Sequence, residues 1–220
     1  KDAGIHLAGG HSIDTQEPIF GLAVTGKVDL CNLKQNSTAH SGDKLFLTKP
    51  IGVGVLTTAE KQGKLKPQHS RLAVENMMRL NTVGAILGAV PGVSAMTDVT
   101  GFGLLGHLLE VCQGSDLSAS INVSAVPVLD AAVTDYIAVG CVPGGSQRNW
   151  QSIAQHISPI SVEHQALLCD PQTSGGLLIS VNPAAAGDVA SLLQQTGCYC
   201  QPIGTLADYD PNQPTIEVMA

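Results

Sequence analysis

The sequence predicts an α+β fold in which a mixed sheet is flanked by helices. Strand-like and helix-like segments interleave along the 220 residues, but without the strict strand–helix–strand rhythm of a doubly wound sheet. Hydrophobic residues make up 44% of the chain and aromatic residues only 3%, so we expect a core of Val, Ile, Leu and Ala. A chain of this length can bury such a core without disulfide or metal staples.

The first part of the chain predicts two strands and a connection. Residues 4–8 are apolar and stop at Gly9-Gly10, and residues 18–28 are rich in small and β-branched side chains, which favours strands. Residues 31–43 are polar and read as a loop. We place a domain boundary here, between residues 1–42 and residues 43–220.

The second part predicts strands and helices in mixed order. Residues 67–90 are expected to form one long helix, because their apolar residues recur every three or four positions and Pro67 suits a first turn. Gly114 is a natural stop for the helix before it. The other expected helices are 52–61, 102–113, 128–139, 161–168 and 183–195; the expected strands are 44–48, 93–99, 117–123, 176–181, 199–206 and 215–218; loops are expected at 141–149 and 170–175.

Composition excludes several classes of protein. The formal net charge is −7 and no basic run is present, so nucleic acid is a poor partner. No run of about 20 apolar residues predicts a membrane span, and no signal peptide is visible, which favours a cytoplasmic protein with six reduced cysteines. Cys198 and Cys200 lie two apart without a second pair, so zinc is not expected. Because the chain starts at Lys1 without an initiator Met, we expect a piece of a longer protein.

The first candidate site is a glycine-rich turn directly after the first expected strand. Gly9 and Gly10 let backbone N–H groups approach a ligand, and His11 and Ser12 add side-chain donors. A phosphate-binding turn and an ordinary tight turn both fit this pattern.

The second candidate is Asp98, a lone carboxylate at the end of an apolar strand. A buried acid needs a cation, and Mg²⁺ bridging to substrate phosphates would supply one; the alternative is a cap for the next helix. The glycines Gly101, Gly103 and Gly106 mimic a dinucleotide fingerprint, but the acid expected after the following strand is missing. His107 on the same helix is expected to be structural.

Two further glycine-rich segments could bind anions or simply form turns. Arg148 and Asn149 follow a glycine pair, and a guanidinium forks well onto phosphate, although a solvated loop fits equally. Thr173 and Ser174 lie in a polar turn before a buried strand. No G-x-S-x-G elbow, HExxH, Walker A or kinase signature occurs in the sequence.

Taken together, these segments resemble selenophosphate synthetase (selenide, water dikinase). The resemblance is carried in the family's order by LAGGHSID, PIFGLAVTG, LTKPIGVGVLTTA, TDVTGFGLLGH, VPGGSQRN and CDPQTSGGLL. It implies the superfamily fold of aminoimidazole ribonucleotide synthetase. Residues 1–42 would then be the last strands of an N-terminal barrel-forming domain for ATP binding and dimerisation, and residues 43–220 the C-terminal α+β domain.

The resemblance also implies an activity. ATP, selenide and water would give selenophosphate, AMP and phosphate for selenocysteine and selenouridine synthesis, with Mg²⁺, in a homodimer whose ATP site is shared. By position, Asp98 matches a magnesium ligand, and Gly10, His11 and Ser12 match a segment that contacts ATP from the dimer partner.

The family's reactive Cys or selenocysteine and its essential Lys have no counterpart here. No catalytic residue is therefore assigned, Arg148, Asn149, Thr173 and Ser174 receive no role, and we expect the fragment alone to be inactive. A non-catalytic dimerisation or binding module, and a related ATP-dependent kinase or ligase with another nucleophile, remain alternatives.

Overall fold

A computed structural model describes residues 2–219 and confirms the α+β fold. The strands are β1 Lys44–Leu47, β2 Val93–Asp98, β3 Leu117–Asn122, β4 Leu177–Val181, β5 Pro202–Asp208 and β6 Ile216–Met219. The helices are α1 Val53–Lys61, α2 Leu72–Met78, α3 Val83–Gly88, α4 Gly103–Ser115, α5 Ala132–Ala138, α6 Gly144–Ile153, α7 Val162–Leu168 and α8 Ala186–Gln195.

The six strands form one sheet in the order β2-β4-β1-β5-β3-β6. All neighbours are antiparallel except β3 and β6, which run parallel. Side chains that alternate along β1 enter two different cores: Leu45 and Leu47 join a large aliphatic cluster with α4, and Phe46 joins a smaller one with α3 and α8. Both faces of the sheet therefore pack against a hydrophobic cluster.

The two strands expected at 4–8 and 18–28 are wrong: residues 5–29 contain no helix or strand in the structure. Their apolar side chains are largely exposed, with Leu7 at 84% and Phe20 at 89%. A strand is stable only when its N–H and C=O groups pair with a neighbour, and no other strand of residues 2–219 lies beside this segment. The sequence pattern of a strand is present, but residues 2–219 supply no neighbouring strand for it to pair with.

The single helix expected over 67–90 is also wrong. A 3₁₀ turn (Pro67–His69), α2 and α3 replace it, and the chain is extended at Arg79, where φ is −69° and ψ is 122°. The Nζ of Lys49 donates to the carbonyl of Arg79 at 2.5 Å and to that of Asn76 at 3.4 Å. These carbonyls are thus directed to a buried ammonium at the point where α2 ends.

Three smaller expectations also differ from the structure. The loop expected at 141–149 is a helix from Gly144 onward, with Pro143 at its N-cap. The helix expected at 128–139 is confined to α5. Helix α4 passes Gly114 and ends at Ser115, and its C-cap Asp116 adopts a left-handed conformation (φ 56°). No helix among residues 2–219 combines the length and the apolarity that crossing a bilayer demands.

Candidate functional site

Three loops meet at the end of the sheet where β2 finishes and β4 begins. They are residues 48–52 before α1, residues 99–102 before α4, and residues 169–176 before β4, which we call the site loop. The N–H of Val99 donates to the carbonyl of Gly176 at 2.9 Å, and the N–H of Gln172 donates to the carbonyl of Thr100 at 2.9 Å. Backbone bonds therefore join the site loop directly to the segment that follows Asp98.

The site loop also covers the start of helix α1. The Oε1 of Gln172 accepts from the N–H groups of Gly52 (3.2 Å) and Val53 (3.3 Å), and the Oδ2 of Asp170 accepts from that of Gly54 (3.0 Å). The Nε2 of Gln172 in turn donates to Asp170 Oδ2 at 2.7 Å. N–H groups at a helix start have no intrahelical partner, so these side chains satisfy donors that would otherwise be orphaned.

Asp170 is the most perturbed acid of this site. It is 1% exposed, and burial raises the pKa of its carboxyl to about 7, against the opposing effect of hydrogen bonds from Gln172 and from the start of α1. Its second oxygen, Oδ1, has no hydrogen-bond partner. Neither fact was predicted from the sequence, where residues 170–175 were expected to form a loop.

Lys49 is the second functional candidate that sequence reasoning missed. It is 1% exposed, and its Nζ donates to the carbonyl of Ser174 at 2.8 Å as well as to the two carbonyls at the end of α2. Burial lowers the pKa of its ammonium, and the nearby Arg79 lowers it further. The signal that could have found it is its position, because a lysine directly after an apolar strand is costly to bury without partners.

Asn149, in the glycine-rich motif VPGGSQRN, ties that motif to the loop before α4 and to the site loop. Its Nδ2 donates to the carbonyl of Gly101 at 2.8 Å and to that of Cys169 at 3.1 Å. Arg148, its neighbour on α6, is exposed and forms no ion pair with any residue in the described range. The motif therefore contributes a structural tie through Asn149, whereas an anion clamp at Arg148 has no support from its contacts.

Close packing explains one glycine of the site loop and the glycine that begins α4. A Cβ at Gly175 would lie 2.0 Å from the carbonyl oxygen of Val99, and a Cβ at Gly103 would lie 2.6 Å from the carbonyl carbon of Cys169. Gly103 also has a φ of +71°, which L side chains rarely adopt. These glycines let two backbones touch.

Asp98 lies at the end of β2, opposite Leu177 of β4. Its side chain is exposed, and the alternative that it caps α4 is wrong, because no side chain caps that helix. It forms no ion pair among residues 2–219, which also hold no cluster of three or more His, Cys, Asp or Glu side chains fit for a metal. Asp98 thus fits Mg²⁺ as one carboxylate ligand, and further ligands would have to come from elsewhere, such as a nucleotide.

The structure does not bring Gly10, His11 and Ser12 to Asp98. These residues are exposed, and nothing lies within 4 Å of a Cβ built at Gly10.

His107, by contrast, is buried between Thr100 (Nε2 to Oγ1, 3.3 Å) and Glu110 (Nδ1 to Oε2, 3.2 Å), which confirms the structural role expected for it.

The cysteines are free thiols in very different surroundings. Cys112 and Cys169 are fully buried, and burial raises the pKa of each thiol to about 12, whereas Cys31 is exposed. Cys169 adjoins the site loop, but a thiol so strongly protonated is a poor nucleophile.

Comparison with known families matches residues 40–213 to the C-terminal domain of AIR synthase related proteins. Among curated proteins, the chain is 57% identical over 219 residues to a selenide, water dikinase of Yersinia pseudotuberculosis, covering all of this chain and 63% of that protein. It is 58% identical over 192 residues to the selenide, water dikinase of a Shewanella species, covering 87% of this chain and 54% of that protein. The chain thus spans about six tenths of the length of the curated relatives it matches.

Solved structures with a similar fold have other names. Thiamine-monophosphate kinase from Stenotrophomonas maltophilia superimposes with a TM-score of 0.57 at 16% identity, over 84% of this chain and 52% of that one. The hydrogenase maturation protein HypE from E. coli gives a TM-score of 0.58 at 17% identity, over 84% and 48%. At these identities the likeness establishes the fold alone.

Proposed function

Since the chain belongs to the family of AIR synthase related proteins, we propose that it works as the C-terminal part of a selenide, water dikinase. The whole enzyme would convert ATP, selenide and water into selenophosphate, AMP and phosphate. The observation that carries this proposal is the 57% identity to a selenide, water dikinase along the entire chain, which includes Asp98 and the site loop. By itself the chain would be inactive, because Asp98 is its single candidate magnesium ligand among the described residues and the family's other metal-binding Asp residues have no counterpart here.

The nucleotide chemistry needs little covalent help from the protein. Selenide is already an anionic nucleophile, so no general base is required, and the obstacle is its approach to a polyphosphate of like charge. Mg²⁺, when bound, offsets that charge. The chain's own residues would do the positioning: Asp98 offers a carboxylate in the open, and the site loop, bonded to Val99 and Thr100, fixes the strand end that carries it.

A homodimer with a shared ATP site belongs to the same proposal. Ten of the exposed large hydrophobic side chains fall between Ile5 and Leu33, in a segment that mostly lies outside any helix or strand. Apolar patches of this kind mark interaction surfaces. Residues 1–42 would therefore pair with strands supplied by the rest of the enzyme or its partner, which would place Gly10, His11 and Ser12 beside a nucleotide. The domain boundary near residue 42 and a cytoplasmic location are part of this proposal.

Phosphorus NMR of the full-length enzyme with ATP, Mg²⁺ and selenide tests the proposal. The expected products are selenophosphate, AMP and phosphate in equal amounts. Release of ADP without selenophosphate would instead favour a related kinase, and no nucleotide turnover at all would favour a non-catalytic dimerisation module.

The role of Asp98 has its own test. Asp98→Asn in the full-length enzyme is expected to lower turnover by about 100-fold or more, because a charged ligand of the magnesium ion that would offset the phosphate charge is lost. Asp135→Asn is the matched control, since Asp135 is an exposed acid on α5, remote in sequence from the site. Both variants should keep the wild-type fold by circular dichroism. Near-normal AMP formation by the Asp98 variant would contradict the proposed role.

A further inference from the structure

The outermost part of the site loop, Thr173 and Ser174, carries hydrogen-bond donors that the fold does not use. Both residues are exposed. Within residues 2–219, neither their backbone N–H groups nor their hydroxyls donate a hydrogen bond; only the carbonyl of Ser174 is engaged, by Lys49. Four free donors thus lie on two consecutive residues. Ser174 has a φ of +49°, a conformation in which successive N–H groups can face one side and form an anion-binding concavity.

A buried positive charge lies directly under this part of the loop. The Nζ of Lys49 has three carbonyl acceptors, those of Ser174, Arg79 and Asn76, and three acceptors require the three protons of an ammonium. No carboxylate of the described chain lies within ion-pairing distance of Lys49. A charge held in the interior without a counter-ion acts over a longer distance than one in water, so it favours an anion above the loop.

We propose that Thr173 and Ser174 form a binding site for a tetrahedral oxyanion of the phosphate class. The two N–H groups and two hydroxyls would donate to its oxygens. Lys49 would act from below, as a positioning residue that fixes the Ser174 carbonyl and as a source of positive potential. The identity of the anion in the cell rests on the proposed function, under which it would be a nucleotide phosphate or the phosphate product.

Amide NMR of the isotope-labelled full chain tests the site directly, with inorganic phosphate as the probe. The Thr173 and Ser174 amide signals are expected to shift and saturate with a dissociation constant of about 1–10 mM, the range of a weak single-anion site. Titrations with ATP and with adenosine separate the sources of the anion. A nucleotide site predicts tighter binding of ATP, a free-phosphate site predicts equal binding, and adenosine should cause no shift in either case.

Two pairs of variants separate the contributions of the Lys49 charge and the Thr173 hydroxyl to phosphate binding. Lys49→Met should weaken phosphate binding about tenfold, as expected when a charge-assisted interaction is lost, whereas Lys44→Met, the same change at the first residue of the preceding strand β1, should not. Thr173→Ala should weaken binding about threefold through its lost hydroxyl, and Thr134→Ala on the exposed side of α5 is its control. If Lys49→Met fails to fold, the Thr173 pair and the wild-type shifts still decide.

The proposal is overturned if the Thr173 and Ser174 signals stay unmoved at phosphate concentrations of about 50 mM, well above the expected constant. It is also overturned if the shifts are no larger there than at exposed lysines elsewhere, or if each variant binds like its control. The titration contains no selenide, so it tests phosphate binding separately from selenophosphate synthesis. If the protein binds phosphate at Thr173 and Ser174 but makes no selenophosphate, only the proposed function is refuted.

Discussion

Two glycine-rich segments of this chain look alike in sequence and behave in opposite ways in the structure. Nothing lies within 4 Å of a Cβ built at Gly9 or Gly10. In the site loop, a Cβ at Gly175 would lie 2.0 Å from a carbonyl oxygen, and one at Gly176 would lie 2.5 Å from the backbone nitrogen of Lys49. Glycine therefore permits close backbone packing in the site loop, whereas the backbone at Gly9 and Gly10 has no close neighbour.

The comparison separates two ways in which a motif can serve a site. The site loop is held by its own chain through Lys49, Asn149 and the start of α1, so its shape exists before any ligand arrives. The segment around Gly10 has no such support among residues 2–219, so any role it has must depend on partners outside the packed domain. Changes in the two segments should thus differ mainly in their effect on the stability of the chain.

The largest expected effect is a pH dependence of the free energy of unfolding, caused by Asp170 in the site loop. Its folded pKa of about 7 lies above the ordinary value of 3.8, so the folded state binds the extra proton. The stability it contributes is fully present below pH 4 and is lost as the pH rises through 7, by up to about 4 kcal/mol. Urea unfolding of wild type and Asp170→Asn between pH 4 and pH 8 measures it. The variant should lose this slope, and parallel curves would refute the assignment.

The second effect is the direct contrast between the two glycine segments. Gly175→Ala should lower the free energy of unfolding by about 3 kcal/mol, because its Cβ overlaps the Val99 carbonyl and the site loop must shift. Gly10→Ala, the matched change, should alter it by less than about 0.5 kcal/mol. Urea unfolding monitored by circular dichroism gives both values. Equal effects would remove the distinction drawn here.

A third effect contrasts a thiol near the exposed segment with two thiols of the packed domain. With pKa values of about 12, Cys112 and Cys169 are expected to react with iodoacetamide at pH 8 at least about 100-fold more slowly than the exposed Cys31. Timed labelling followed by peptide mass spectrometry measures the rates, and unfolding in urea should make them similar. Comparable rates in the folded protein would mean that the domain opens readily.

The smallest effect on stability is expected from the exposed apolar residues themselves. Phe20→Ser should change the free energy of unfolding of the chain by less than about 0.5 kcal/mol, since the ring is 89% exposed and no packing is lost. In the full-length enzyme the same change should weaken dimerisation, as measured by sedimentation. Phe46→Ser, on buried β1, is the contrasting variant and should destabilise the chain strongly. A Phe20 variant that dimerises normally would argue against a partner on this segment.

The sequence predicted the sheet of residues 43–220 well because each strand carries its own signal. Apolar runs bounded by turns identified β1, β2, β3 and β4 to within a residue or two at most ends, and Ser161 marked the start of α7. These features are local, and local features are what a single sequence displays.

The failures share a different cause, which is contact between distant residues. The helix breaks after α2 at Arg79, whose carbonyl binds Lys49, thirty residues earlier in the chain. The apolar periodicity of residues 67–90 gives no sign of this contact. The site residues Lys49 and Asp170 were missed for the same reason, since their importance comes from burial. Asp98 was proposed from its motif and stays a prediction; its side chain is exposed at the end of β2.

The bonds that hold the site loop also determine when the site can exist during folding. Lys49 and Ser174 are 125 positions apart, and Gly52 and Gln172 are 120 apart. Contacts of such long range form late, after the chain entropy of the intervening residues has been overcome. A nascent or partly folded chain would therefore lack the contact between Lys49 and the site loop. It would bind an anion there only after the sheet is complete.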